Sequence, residues 1–193
     1  MILLQVALLL LLCACGKAGQ EGEALTLELT VGRLTLLLPE GWVELQREEK
    51  TQGDQVVSNS CTASYSGQTE EEGMALSVSH SAMAPFERGE GGDLIGELDR
   101  LGQQFASAHA PAYELETIGY YQGDNSYAAL YAAAALEADT QPARLYRIYC
   151  MHPSGAYDLL FTARADRADL CEAILLALQS EGRPLGLELL EGE

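Results

Sequence analysis

The side chains able to carry chemistry in this chain are few and scattered. Its three histidines, His80, His109 and His152, stand far apart, and none belongs to a metal-ligand spacing such as H-E-x-x-H. Of its five cysteines, Cys61, Cys150 and Cys171 lie in the body of the chain without a C-x-x-C pair or a Cys/His cluster, so a zinc site has no support. Cys150 and His152 come nearest to a nucleophile–base pair, but at i and i+2 they share a strand face with no third group to orient the base. Ser154-Gly155 reads as turn chemistry. No G-x-S-x-G, P-loop or G-x-G-x-x-G occurs. Carboxylates are plentiful, at 29, and two of them about 5–9.5 Å apart across a cleft would suffice for a glycosidase. Most fall in turns, helix starts or the chain ends, where charge serves solubility. Glu70 to Glu72 and Asp124-Asn125 lack the alternating oxygen spacing of a calcium loop. The expectation is therefore no catalytic residue, no metal and no cofactor.

Tyrosine is the most informative internal residue. Eight of the nine lie between Tyr113 and Tyr157. Tyrosine favours strands, so cross-strand packing is one reading. An amphipathic aromatic surface for a glycan, peptide or protein partner is the other. Tyr127 and Tyr131 share a strand face, while Tyr120 and Tyr121 must point to opposite faces. These four form the candidate binding surface.

The odd number of body cysteines leaves at least one thiol free or paired between molecules. Buried apolar thiols are one possibility. A Cys61–Cys150 disulfide is the other, permitted in an extracytoplasmic setting.

One cysteine has a more definite chemistry. Met1 to Leu12 is an almost wholly apolar run, too short for a membrane-spanning helix, which needs about 20 residues. It has the length of a signal-peptide core and ends in Leu12-Cys13-Ala14-Cys15, which resembles a bacterial lipobox with Cys15 as the acylated residue. Cys13 fits less well, because Leu12 would then stand where a small residue is needed. The usual positive charge before the apolar run is missing from Met1 to Gln5. The reading is residues 1–14 as a lipoprotein signal and 15–23, small, polar and Gly-rich, as a flexible tether.

A formal charge of −18 excludes nucleic acid as a partner and repels anionic head groups, so membrane attachment falls to the lipid anchor on Cys15. A little under 180 residues remain after the signal, about one domain.

The elements that must position these residues follow from period. Leu25 to Val31 alternates as a half-buried strand, Gly32-Arg33 makes a two-residue hairpin loop, and Leu34 to Leu38 returns. Gln46 to Asp54 is charged and reads as a loop. Gln55 to Ser66 and Met74 to His80 read as strands, with His80 pointing inward. Asp93 starts a helix whose Leu94, Leu98, Leu101, Phe105 and His109 form one apolar stripe. A protonated His109 suits the helix's last turn. Four strands then meander from Tyr113 to Ala165, and Asp166 caps a last helix buried through Cys171, Ile174, Leu175 and Leu178. Residues 24–182 thus form a single α+β domain: an antiparallel sheet of six to eight strands with one mid-chain and one C-terminal helix packed on it. Residues 183–193 read as an acidic tail.

Leu38-Pro-Glu-Gly-Trp42 at a strand end, the mid-chain helix, and the closing hairpin with its C-terminal helix (Ala143 to Tyr149, Tyr157 to Ala163, Ala173 to Ser180) resemble the PsbP/DcrB-like superfamily. The resemblance implies an antiparallel sheet sandwiched by helices and a non-catalytic assembly or binding role. The expected function is an extracytoplasmic, membrane-anchored binding or assembly module facing an envelope protein or a glycan. A surface-anchored, carboxylate-based hydrolase and a purely structural envelope lipoprotein are the alternatives.

Overall fold

The computed structural model describes residues 25–53, 55–65, 73–82, 94–109, 112–136 and 144–190. Cys13, Cys15, the tether, Glu70 to Glu72 and Asp93 lie outside them. In chain order the elements are β1 (Leu25–Val31), β2 (Leu34–Pro39), β3 (Trp42–Gln52), β4 (Gln55–Tyr65) and β5 (Met74–Ser81). Then come α1 (Leu94–His109), β6 (Tyr113–Gln122), β7 (Tyr127–Ala135), β8 (Arg144–His152), β9 (Gly155–Ala163) and α2 (Ala168–Leu176). Three two-residue strands follow: β10 (Gln179–Ser180), β11 (Arg183–Pro184) and β12 (Glu188–Leu189). The fold is α+β.

The strands make two antiparallel sheets rather than one. An eight-stranded sheet runs β12-β6-β7-β8-β9-β5-β4-β3, and a four-stranded sheet runs β1-β2-β10-β11. On the inner face of the large sheet, alternate side chains (Leu76 and Val78, Tyr146 and Ile148, Leu159 and Phe161) meet Val31, Leu34, Leu36 and Leu38 from the small sheet and Ile174 and Leu175 from α2. The period-2 pattern of β5, buried at every second residue, is what commits that face to the core. On the outer face α1 covers Ala129, Tyr131, Ala133 and Leu145 with Leu98 and Phe105. Leu98, Leu101, Phe105, Ile174 and Leu178 are buried as their spacing predicts.

Two readings of the sequence are corrected. Gln46 to Gln52 is no loop but the outer part of β3, paired with β4 from Trp42↔Tyr65 to Gln52↔Gln55. It projects as an arm, exposed at every residue after Trp42, so burial leaves no alternation for the sequence to display. Residues 183–190 are no free tail either. Leu185 and Leu187 are buried, and β12 adds a short strand beside β6.

Candidate functional site

One end of the sandwich gathers the polar side chains the sequence scatters. The β1–β2 turn puts Gly32 at φ +60°, the left-handed conformation that only glycine adopts cheaply. There Arg33 is lifted to the rim. The β8–β9 hairpin turns through Pro153-Ser154, and the ladder sets Tyr157 of β9 opposite His80 of β5, which stands opposite Asn59 of β4. Gly32, Arg33, Asn59, His80 and Ser154, together with Glu49 from the β3 arm, border a cleft of about 520 Å³. That is within the range of small-molecule sites, about 300–1,000 Å³.

The floor of the cleft is His80, 6% exposed, its ring stacked on Tyr157 at 4.5 Å between centroids and 22° between planes. A Cβ on Gly32 would lie 2.8 Å from His80 Nδ1, closer than a side chain can come, so Gly32 packs directly against the ring. His80 Nε2 lies 3.0 Å from the Ser154 carbonyl oxygen, to which it must donate. A proton is thereby placed on Nε2, which leaves Nδ1 as the ring's other polar atom. It is buried and has no hydrogen-bond partner among the described residues. Leaving such a group unsatisfied costs about 1–3 kcal/mol.

A directed relay runs along one wall. The Arg33 backbone N–H donates to Tyr157 Oη at 3.1 Å, and Tyr157 O–H donates to Ser154 Oγ at 2.8 Å. Ser154 Oγ in turn lies 2.7 Å from His152 Nδ1, which also accepts the Ser154 backbone N–H at 3.1 Å. His152 Nδ1 is therefore unprotonated in this arrangement. Burial pushes the His152 pKa below its ordinary value; Arg33 and His80 push the same way, and Glu181 opposes them. Arg33 also reaches Glu181 at 3.4 Å, both side chains largely exposed. Glu181 occupies a left-handed turn position at φ 52°, a conformation a non-glycine residue holds at a cost.

The four tyrosines of the expected binding surface do not form one. Tyr121 (0%), Tyr127 (8%) and Tyr131 (1%) are buried. Tyr121 faces the inner core and donates to Glu172 at 2.8 Å. Tyr131 lies under α1 and donates to the Leu98 carbonyl. Tyr120 is partly buried against the α1 cluster and bonds Asp99; burial and that carboxylate raise its pKa to about 12. Because α1 covers the outer face of this half of the sheet, both faces of β7 are core.

The Cys61–Cys150 disulfide is likewise overturned, since Cys61, Cys150 and Cys171 are all free and buried. Cys61 on β4 and Cys150 on β8 are separated by three strand steps, about 14 Å, against a limit of about 7 Å between bridged Cα atoms. His109 is not held protonated by its helix: burial, then Arg147, pushes its pKa down. Among the carboxylates of the meander, Asp158 is engaged by Arg147 through two bonds of 2.8 and 2.5 Å. No group of three metal-ligating side chains occurs among the described residues.

Sequence reading passed over the cleft. The spacing His152-Pro-Ser154 was its one visible sign, and only the register between β5 and β9 brings His80 and Tyr157 to it. The chain matches no protein-family model, no curated protein and no solved structure, so its resemblance to the PsbP/DcrB-like superfamily rests on the sequence motifs alone.

Proposed function

We propose that this protein is a lipoprotein anchored outside the cytoplasmic membrane through Cys15, whose domain binds a ligand without turnover in the cleft at the His80 end. The observation that carries the binding reading is the cleft itself. It combines a volume suited to a small molecule with a buried histidine as its floor and with ionic groups from two different walls. Its remaining polar groups are fixed in advance by the Tyr157–Ser154–His152 relay, which reduces the ordering cost of binding. The lipobox-like ending of the apolar run supports the anchor, and the charge of −18 leaves the acyl chain as the source of membrane affinity.

Two measurements test the two halves of this reading. Histidine ring resonances of the full-length chain, followed while small polar compounds are added, should shift for His80 and His152. The shifts should vanish in Gly32→Ala, whose methyl group would collide with the His80 ring and displace the floor of the cleft. Metabolic labelling with a fatty-acid probe should mark the natural chain and fail on Cys15→Ala; equal labelling of both would remove the anchor assignment.

A further inference from the structure

The cleft's ligand class can be read from which of its groups are left over once the internal bonds are assigned, an inference resting on the binding reading above. Ser154, Tyr157 and His152 Nδ1 are committed to one another. What remains open to a ligand is Arg33 at the rim, Glu49 on the arm and the Asn59 amide, above the buried His80 ring. These are one cation, one carboxylate and one neutral amide. A ligand that is only an anion would meet Glu49 and the field of a chain carrying −18, both repulsive. A ligand that is only a cation would leave Arg33 facing it with like charge. An uncharged sugar would use neither ionic group and would want an exposed aromatic face, whereas Tyr157 is fully buried beneath His80.

We propose that the cleft binds a small zwitterion of amino-acid or dipeptide size, its carboxylate on the Arg33 guanidinium and its ammonium on Glu49 and the Asn59 amide oxygen. The planar guanidinium matches a carboxylate with two parallel bonds, and Glu181, 3.4 Å away, holds it at the rim. An ammonium supplies three donors and no acceptor, which suits the Glu49 carboxylate and the Asn59 amide oxygen. Gly32 is required because a Cβ there would collide with the His80 ring that floors the cleft.

The experiment is calorimetric titration of the full-length chain with L-alanyl-L-alanine, its N-acetyl form and its C-terminal amide. The unblocked dipeptide should bind, and each cap should weaken it by about tenfold, the worth of one charge-assisted contact. Arg33→Gln should erase the penalty of amidation while keeping that of acetylation, and Glu49→Gln should do the reverse. A variant that merely disturbed the fold would lower all three affinities together. Equal affinity for the three forms, or no binding of any, overturns the zwitterion. Glucose, spermidine and citrate, run in parallel on the histidine resonances, separate the two levels. A shift with one of them alone overturns the ligand class and leaves a binding cleft, while silence from every compound overturns both.

Discussion

The two ends of the same inner sheet face solve one packing problem differently. At the Trp42 end, Trp42 stacks on Tyr65 at 5.9 Å and meets the edge of Phe161 at 6.3 Å. At the other end His80 stacks on Tyr157. Each stack buries a ring nitrogen that has no partner among the described residues, Trp42 Nε1 in one and His80 Nδ1 in the other. An orphaned nitrogen is therefore not what marks a site. The His80 end differs in what surrounds the ring: two left-handed turns at Gly32 and Glu181, a bonded Ser154–His152 pair, and ionic groups on two sides of a cleft. Apolar ring packing at one end supplies stability, and strain with polar preorganisation accumulates at the other.

Mutations can break that contrast, and the largest effect belongs to the Trp42 end. Phe161→Ala removes a fully buried ring and should cost about 3–5 kcal/mol in denaturant unfolding. Ligand affinity of the folded fraction should stay unchanged, and a matching loss of affinity would merge the two ends into one unit. Next comes Gly32→Ala, where a side chain at φ +60° should cost about 1–2 kcal/mol and abolish binding together. Glu181→Gly works in the opposite direction. Relief of the left-handed penalty, less the added entropy of glycine in the unfolded chain, should stabilise by about 0.5 kcal/mol.

The smallest effect is a pH dependence. The folded-state pKa of His152 lies below its ordinary 6.5, so the folded chain takes up this proton less readily than the unfolded one. Its contribution is complete above 6.5 and declines as pH falls through the window beneath. His109 shifts the same way through burial and Arg147. Unfolding midpoints measured from pH 7.5 to 5.5 should therefore decline less steeply in His152→Gln than in the natural chain. His109→Gln isolates the helix contribution; a slope in His152→Gln as steep as the natural one would refute the shift.

The elements legible in the sequence were those with one wet face and one dry face. Met74 to Ser81 alternates because every second residue up to His80 lies in the core, and Leu29 and Val31 of β1 enter it in the same way. The outer part of β3 and the strand β7 escape for opposite reasons. The first is exposed at every residue after Trp42, and the second, Tyr127 to Ala133, is buried at every residue, so neither shows a period of two. The tyrosines stayed open between cross-strand packing and a binding surface for the same cause, because a single sequence does not say which strands a mid-chain helix will roof. Leu185, Leu187 and Leu189 do alternate, but within an acidic stretch where composition argued for a tail. The cleft was the least legible part. His80 and Ser154 are 74 positions apart, and their meeting depends on strand order, which no local pattern encodes.

The three thiols described above turn the fold into its own stopwatch. Burial pushes Cys150 up to about 12 and raises Cys171 and Cys61 as well, so these three present almost no thiolate near neutral pH in the folded domain. Alkylation then proceeds at the pace at which the domain opens, not at the pace of the reagent's own chemistry. Cys150 and Cys171, one on the large sheet and one on α2, should lose their thiols in step if sheet and helix open together. If α2 peels away first, Cys171 should be marked before Cys150. The order of labelling would then time the opening of each element in plain buffer, with no denaturant added.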